Sequence, residues 1–123
     1  MSTSSVSLGY VILYVKDVSA SLAFYEAAFG LLRRFFHDED GHTYGELETG
    51  AACLAFASLQ LAKSHLKQEF TAAAPNERPL GIEVALVTTD VPALYARAVK
   101  AGAIEVAAPS TKPWGQTLSL IHI

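Results

Sequence analysis

Scarcity of several residue types narrows the possibilities first. A single cysteine, Cys53, rules out an intrachain disulfide and suits a reducing compartment. Cationic residues are few, with 9 Lys and Arg against 12 Asp and Glu and a formal net charge of −3. No basic field is available for a polyanion, and the adjacent pair Arg33-Arg34 lies in an apolar stretch that reads as a strand, so nucleic acid is not an expected partner. No apolar run approaches the roughly 18 residues of a membrane span. The start, Met1 to Ser5, has neither the charge nor the apolar core of a secretory leader, and a cytoplasmic location is expected. Charged residues make up only 17% of the 123 positions while hydrophobic ones make up 51%, a balance that favours one packed domain over disorder.

What the chain does contain, it contains twice. Tyr10 to Val18 (YVILYVKDV) returns as Glu83 to Val91 (EVALVTTDV), at an offset of 73 whether measured as 83 − 10 or as 90 − 17. Each copy reads as a strand that reaches Asp-Val and enters an Ala-rich helix, closed by Gly30 in the first copy and by Gly102 in the second. In the first helix Val18, Leu22, Tyr25 and Phe29 recur at helical spacing and supply one apolar face. Leu31 to His37 is expected as a second strand, Asp38 to Gly41 as a turn, Thr43 to Glu48 as a third strand and Ala51 to Ala57 as a fourth. Ser64 to Phe70 can form a helical turn or two within a connecting stretch that ends in Pro-rich linker. Gly81 to Thr88 opens the second copy as a strand, Asp90 and Pro92 start its helix, and Ala103 to Ala107 and Thr117 to Ile123 follow as strands around a loop at Pro109 to Gly115. One domain over 1–123 is expected, with module one at about 7–58, a linker at about 59–80 and module two at about 81–123.

These segments resemble the glyoxalase, bleomycin-resistance and ring-cleaving dioxygenase superfamily, the vicinal oxygen chelate fold. The resemblance rests on Val15 to Tyr25 with Phe29-Gly-Leu31, Tyr44 to Gly50, Val91 to Ala103, and Lys112-Pro-Trp-Gly-Gln116. It implies an α+β fold of two tandem β-α-β-β-β modules that form a curved half-barrel around a cleft, commonly completed in a homodimer, with the last strand of module two missing here. Metal-dependent members hold a divalent ion in that cleft with His or Glu. Carried over position by position, the resemblance puts Tyr10 where a His is usual, Glu83 as a usable oxygen ligand, and apolar Leu54 where a Glu is usual. The closing strand that would follow Trp114-Gly-Gln116 and end in Glu is absent. Catalytic metal sites need about three protein ligands, so one carboxylate does not hold a transition ion.

Candidate ligand-binding residues are therefore Tyr10, Glu46, Glu83 and Trp114. Alternation turns Glu83 and Tyr10 away from the helix-packed face, Glu46 and Glu48 share one face of the third strand with Tyr44, and Trp114 sits in a loop beside Gly115. Tyr10 reads somewhat more readily as a packed core tyrosine, and the two strand glutamates as solvated charges. His37 and His42 read as turn residues, and Cys53 as a small buried hydrophobe. Two functions stay open. One is a metal-free module that holds a small organic molecule, with its acidic residues favouring a cationic ligand and no cofactor required. The other is a divalent-metal-dependent lyase or dioxygenase with an atypical set that includes Glu83 and Glu46.

Overall fold

A computed structural model describes residues 5–122, so Ile123 of the expected last strand and the first four residues of the chain lie outside it. Strand β1 (Tyr10–Val15) leads into helix α1 (Val18–Phe29), and β2 (Arg33–Glu39), β3 (His42–Glu48) and β4 (Cys53–Ser58) complete module one. Helix α2 (Leu59–Leu66) follows, then α3 (Val91–Lys100) and the strands β5 (Ile104–Thr111) and β6 (Thr117–His122). The architecture is α+β. No helix of the described residues is long and apolar enough to cross a membrane.

Both repeated helices begin by the same local chemistry. Asp17 accepts from the Ala20 N–H at 3.0 Å, and Asp90 accepts from the Ala93 N–H at 3.0 Å, each satisfying a first-turn donor that the helix itself cannot. Gly30 closes α1 in the left-handed region at φ 68°, its N–H returned to Glu26. The α1 face that carries Val18, Leu22 and Tyr25 packs on Val15, Leu47, Leu54 and Phe56 of the sheet. Contact is close enough that a Cβ on Gly45 would stand 2.5 Å from Leu22 Cδ1.

The four strands of module one form one sheet in the order β1-β4-β3-β2. β1 and β4 run parallel, with Tyr10 beside Cys53 and Val15 beside Ser58, and α1 carries the chain across the sheet from β1 at one edge to β2 at the other. β4 is central and buried at all six positions, as its apolar composition requires. β2 and β3 meet at Asp40-Gly41, both at positive φ, the two-residue hairpin chemistry of Asp-Gly. β2 is an exposed edge dense in charge.

Three expectations are corrected. The helix after β4 spans Leu59–Leu66, not Ser64 to Phe70, because Ser58 caps it through the Leu61 N–H at 3.3 Å and Lys67 ends it at φ 57°. Pro109 lies within β5 and not in a loop; the register of β5 against β6 is irregular between Ala107 and Ser110, and that irregularity accommodates the missing proline N–H. Residues 81–88, expected as the opening strand of module two, join neither sheet and make no backbone hydrogen bond among the described residues. Strand propensity is met here, but a strand also needs a neighbour.

The modules meet through their helices. Ala28 of α1, Ala98 of α3 and Ala103 form a buried cluster of small side chains, and the Arg97 guanidinium donates to the Ala27 carbonyl at 2.8 Å.

Candidate functional site

Alternation along β1 sends Val11, Leu13 and Val15 toward α1, so Tyr10, Ile12 and Tyr14 face the other way. Register extends that open face across the sheet: Tyr10 lies beside Cys53 and Cys53 beside Glu48, while Ile12, Ala55, Glu46 and Phe35 form the next row. The third row runs Tyr14, Ala57, Tyr44 and His37. Small residues thus line the centre, with aromatic and acidic side chains on either flank. Phe35 stands 6.2 Å from the Tyr44 ring.

Glu46 is the polar centre of this face and is only 8% exposed. Its Oε2 accepts the Tyr44 hydroxyl at 2.7 Å, and its Oε1 meets Arg34 Nε at 3.2 Å. A buried carboxylate without such partners would be strongly disfavoured, so the pair of donors explains how the charge is held. Arg34 also lies 4.0 Å from Glu48. It reaches the open face because the β2–β3 register shifts between Arg33 and Phe35, whereas Arg33 itself pairs with Glu26 of α1 at 2.9 Å.

Ionisable neighbours respond to this crowding. Burial pushes the Tyr44 hydroxyl well above its ordinary value, and the hydrogen bond to Glu46 and that residue's charge add to the effect. The phenol therefore stays a neutral donor at any physiological pH. Burial likewise raises the Cys53 thiol, with the Glu46 charge in support and Arg34 opposing, so Cys53 is a poor nucleophile.

Of the four residues singled out from sequence, the structure brings Tyr10 and Glu46 onto one face, with Tyr10 51% exposed at its margin. Glu83 and Trp114 stand elsewhere. Residues 82–88 line an apolar groove of about 650 Å³ with Val11, Leu54, Phe29 and Leu31, on the α1 side of the sheet. Leu86 is half-buried there, whereas Val84 is 41% and Val87 98% exposed, and Glu83 is exposed. Trp114 is 68% exposed in the turn between β5 and β6, its indole N–H donating to Gln116 at 2.9 Å. Arg34 and Tyr44 were not singled out from the sequence; alternation on β3 hints at Tyr44, but nothing local shows that Arg34 crosses to Glu46.

A metal ion would need donors that converge and are free. Among the described residues no three His, Cys, Asp or Glu side chains are placed to hold one, and Glu46 already has Arg34 and Tyr44 on its two oxygens. Glu46 and Glu83 lie on opposite sides of the sheet. The side chains of the described residues, within one protomer, do not fit a divalent ion.

Comparison with known proteins agrees with this architecture. The profile of the Glyoxalase/Bleomycin resistance protein/Dioxygenase superfamily matches residues 7–121. A glyoxalase-related enzyme from Fulvimarina pelagi is 23% identical with a TM-score of 0.71, over 94% of this chain and 78% of its own. A glyoxalase/bleomycin resistance protein/dioxygenase family enzyme from Burkholderia phytofirmans PsJN is 25% identical with a TM-score of 0.68, over 94% and 89% of the two chains. A superfamily member from Sphaerobacter thermophilus DSM 20745 is 17% identical with a TM-score of 0.68, over 94% and 87%. No curated protein matches the chain.

Proposed function

Because the chain belongs to the glyoxalase/bleomycin resistance protein/dioxygenase superfamily, we propose that it works as a binding module of that group. It would hold a small organic molecule, without a metal, in a cleft that a homodimer completes. The observation that carries this reading is the Tyr44–Glu46–Arg34 network. The one buried carboxylate of the open face is occupied by an arginine and a phenol, an arrangement suited to fixing hydrogen-bond geometry and unsuited to ligating an ion. Around it, exposed Tyr10, Ile12 and Phe35 supply apolar and aromatic contact.

Arg34 against Glu46 and Glu48 leaves one negative charge on the face, which favours an amine-bearing or cationic aromatic ligand. Glu83 and Trp114 are exposed within one protomer and are offered as contacts from the assembled dimer. The reading as a metal-dependent lyase or dioxygenase is the less favoured one, on the donor chemistry of Glu46 alone.

Thermal shift against bleomycin and simple aromatic amines, with matched aromatic acids as controls, tests the reading. A ligand at a hundred times its Kd adds about 2.7 kcal/mol, a rise of several degrees for a domain of this size. Glu48→Gln is expected to weaken amine binding several-fold, because Glu48 is the exposed carboxylate of the face and Arg34 approaches it only to 4.0 Å, with EDTA leaving the wild type unchanged. Binding that disappears on chelation, or a preference for the acids, would overturn the proposal.

A further inference from the structure

We infer that Phe70, in the segment connecting the two modules, sets the size limit of the ligand on the open face. The inference rests on the binding reading above and narrows its ligand class to amines that carry one aromatic ring, not two in line.

Exposure along the open side of β1 is graded. Tyr10 is 51% and Ile12 45% exposed, whereas Tyr14, the next residue on that side, is half-buried. Its cover comes from outside the sheet. Helix α2 starts at the end of β4, past Ala57, packs against β1, β4 and β3, and stops at Lys67, where a φ of 57° turns the chain out of the helix. The Phe70 ring then meets that of Tyr14 edge-on, with centroids 5.0 Å apart and planes at 70°. Further along, the Ala73 N–H donates to the Tyr14 carbonyl at 2.9 Å, and Ala73 packs against the core cluster on the α1 side. β1 is an edge strand of its sheet, so the chain passes around that edge between Phe70 and Ala73, a path that three extended residues, about 10 Å, can cover. Phe70 is thereby held from both sides, by the end of α2 and by the Ala73 hydrogen bond, and stands as a wall on a supported loop.

That wall lies at a definite distance from the charge that takes an amine. Glu48, the exposed carboxylate, is in the first row of the face and Tyr14 in the third, opposite Tyr44 across Ala57. The rows are four residues apart, by 48 − 44, or about 13 Å. Part of this length is taken by the Glu48 side chain at one end and by the Tyr14–Phe70 ring pair at the other. A single ring with a short aminoalkyl arm fits between them, its ammonium on Glu48 and its ring against Tyr14. A second ring in line with the first meets Phe70. The floor between offers only the small side chains of Cys53, Ala55 and Ala57, so it imposes no earlier stop.

Calorimetric titration of the full chain with benzylamine and biphenylmethylamine, and with benzoate and biphenylcarboxylate alongside, tests the inference. Wild type is expected to favour benzylamine, and Phe70→Ala to shift the ratio of the two amine affinities toward biphenylmethylamine by about tenfold or more, through the area that the second ring can then bury. Phe70→Tyr keeps the wall and should keep the wild-type ratio. A wild type that prefers biphenylmethylamine, or a ratio that Phe70→Ala leaves unchanged, overturns the inference while amine binding stands. The same size limit seen with the acids in place of the amines supports Phe70 as the wall and overturns the charge reading. Binding of neither series by wild type overturns both. Where Phe70→Ala fails to fold, Phe70→Leu lowers the wall with an apolar side chain kept in place, and a ratio unchanged there is equally fatal.

Discussion

Phe56→Ala is expected to remove about 3–5 kcal/mol of folding stability. Phe56 is 1% exposed in the central strand β4, with its ring 5.1 Å from that of Tyr25 on α1. It is the largest of the fully buried side chains, so truncation loses its transfer energy and leaves a space that the flanking strands β1 and β3 cannot both close. Urea denaturation with an unchanged slope and a midpoint lowered by about 2 M would match that cost. A loss under about 1 kcal/mol would mean that the core is centred elsewhere.

The second large effect is a pH dependence. Burial against the sheet raises the Tyr25 hydroxyl from 10.0 to about 12. Its neutral form is thus favoured by folding: the contribution is complete below pH 10, where unfolded and folded chains are both protonated. It declines as pH rises from 10 through 12, because the unfolded chain ionises first. Two units correspond to about 3 kcal/mol, in the range of order-of-magnitude linkage. Tyr25→Phe keeps the ring and should flatten that share of the alkaline decline, while Tyr44, also raised, continues to contribute in both proteins. Urea midpoints at pH 8 and pH 11.5 for the two proteins provide the comparison. Parallel curves would show that the Tyr25 hydroxyl is hydrated in the folded state.

Much of module one can be read from its residues because its signals are local. Asp17 and Asp90 mark helix starts, Gly30 marks an end, and Asp40-Gly41 dictates a two-residue hairpin. Alternation alone turns Tyr10 away from the helix-packed side of β1, but that Glu46 shares its face depends on strand order and register. Arg34 could not be placed from sequence, since its role depends on a register shift in β2, and nothing in a run of Arg-Arg-Phe-Phe says which strand position will be doubled. The 81–88 segment shows the same boundary from the other side. Its propensity is legible, but pairing is a property of two segments, and among the described residues this one joins neither sheet.

The β1–β4 ladder also sets the order in which this chain can be made safe during synthesis. Tyr10 meets Cys53, 43 residues later by 53 − 10, so β1 waits for its neighbour about two to nine seconds at ordinary ribosome speeds. The β2–β3 hairpin closes during that interval, since its partners are separated only by the Asp40-Gly41 turn. Val11, Leu13 and Val15 meanwhile have α1 for cover and no strand beside them. The nascent chain is therefore most open to chaperones and to self-association while residues 16–52 are emerging, and the arrival of one six-residue strand at Cys53–Ser58 ends that exposure.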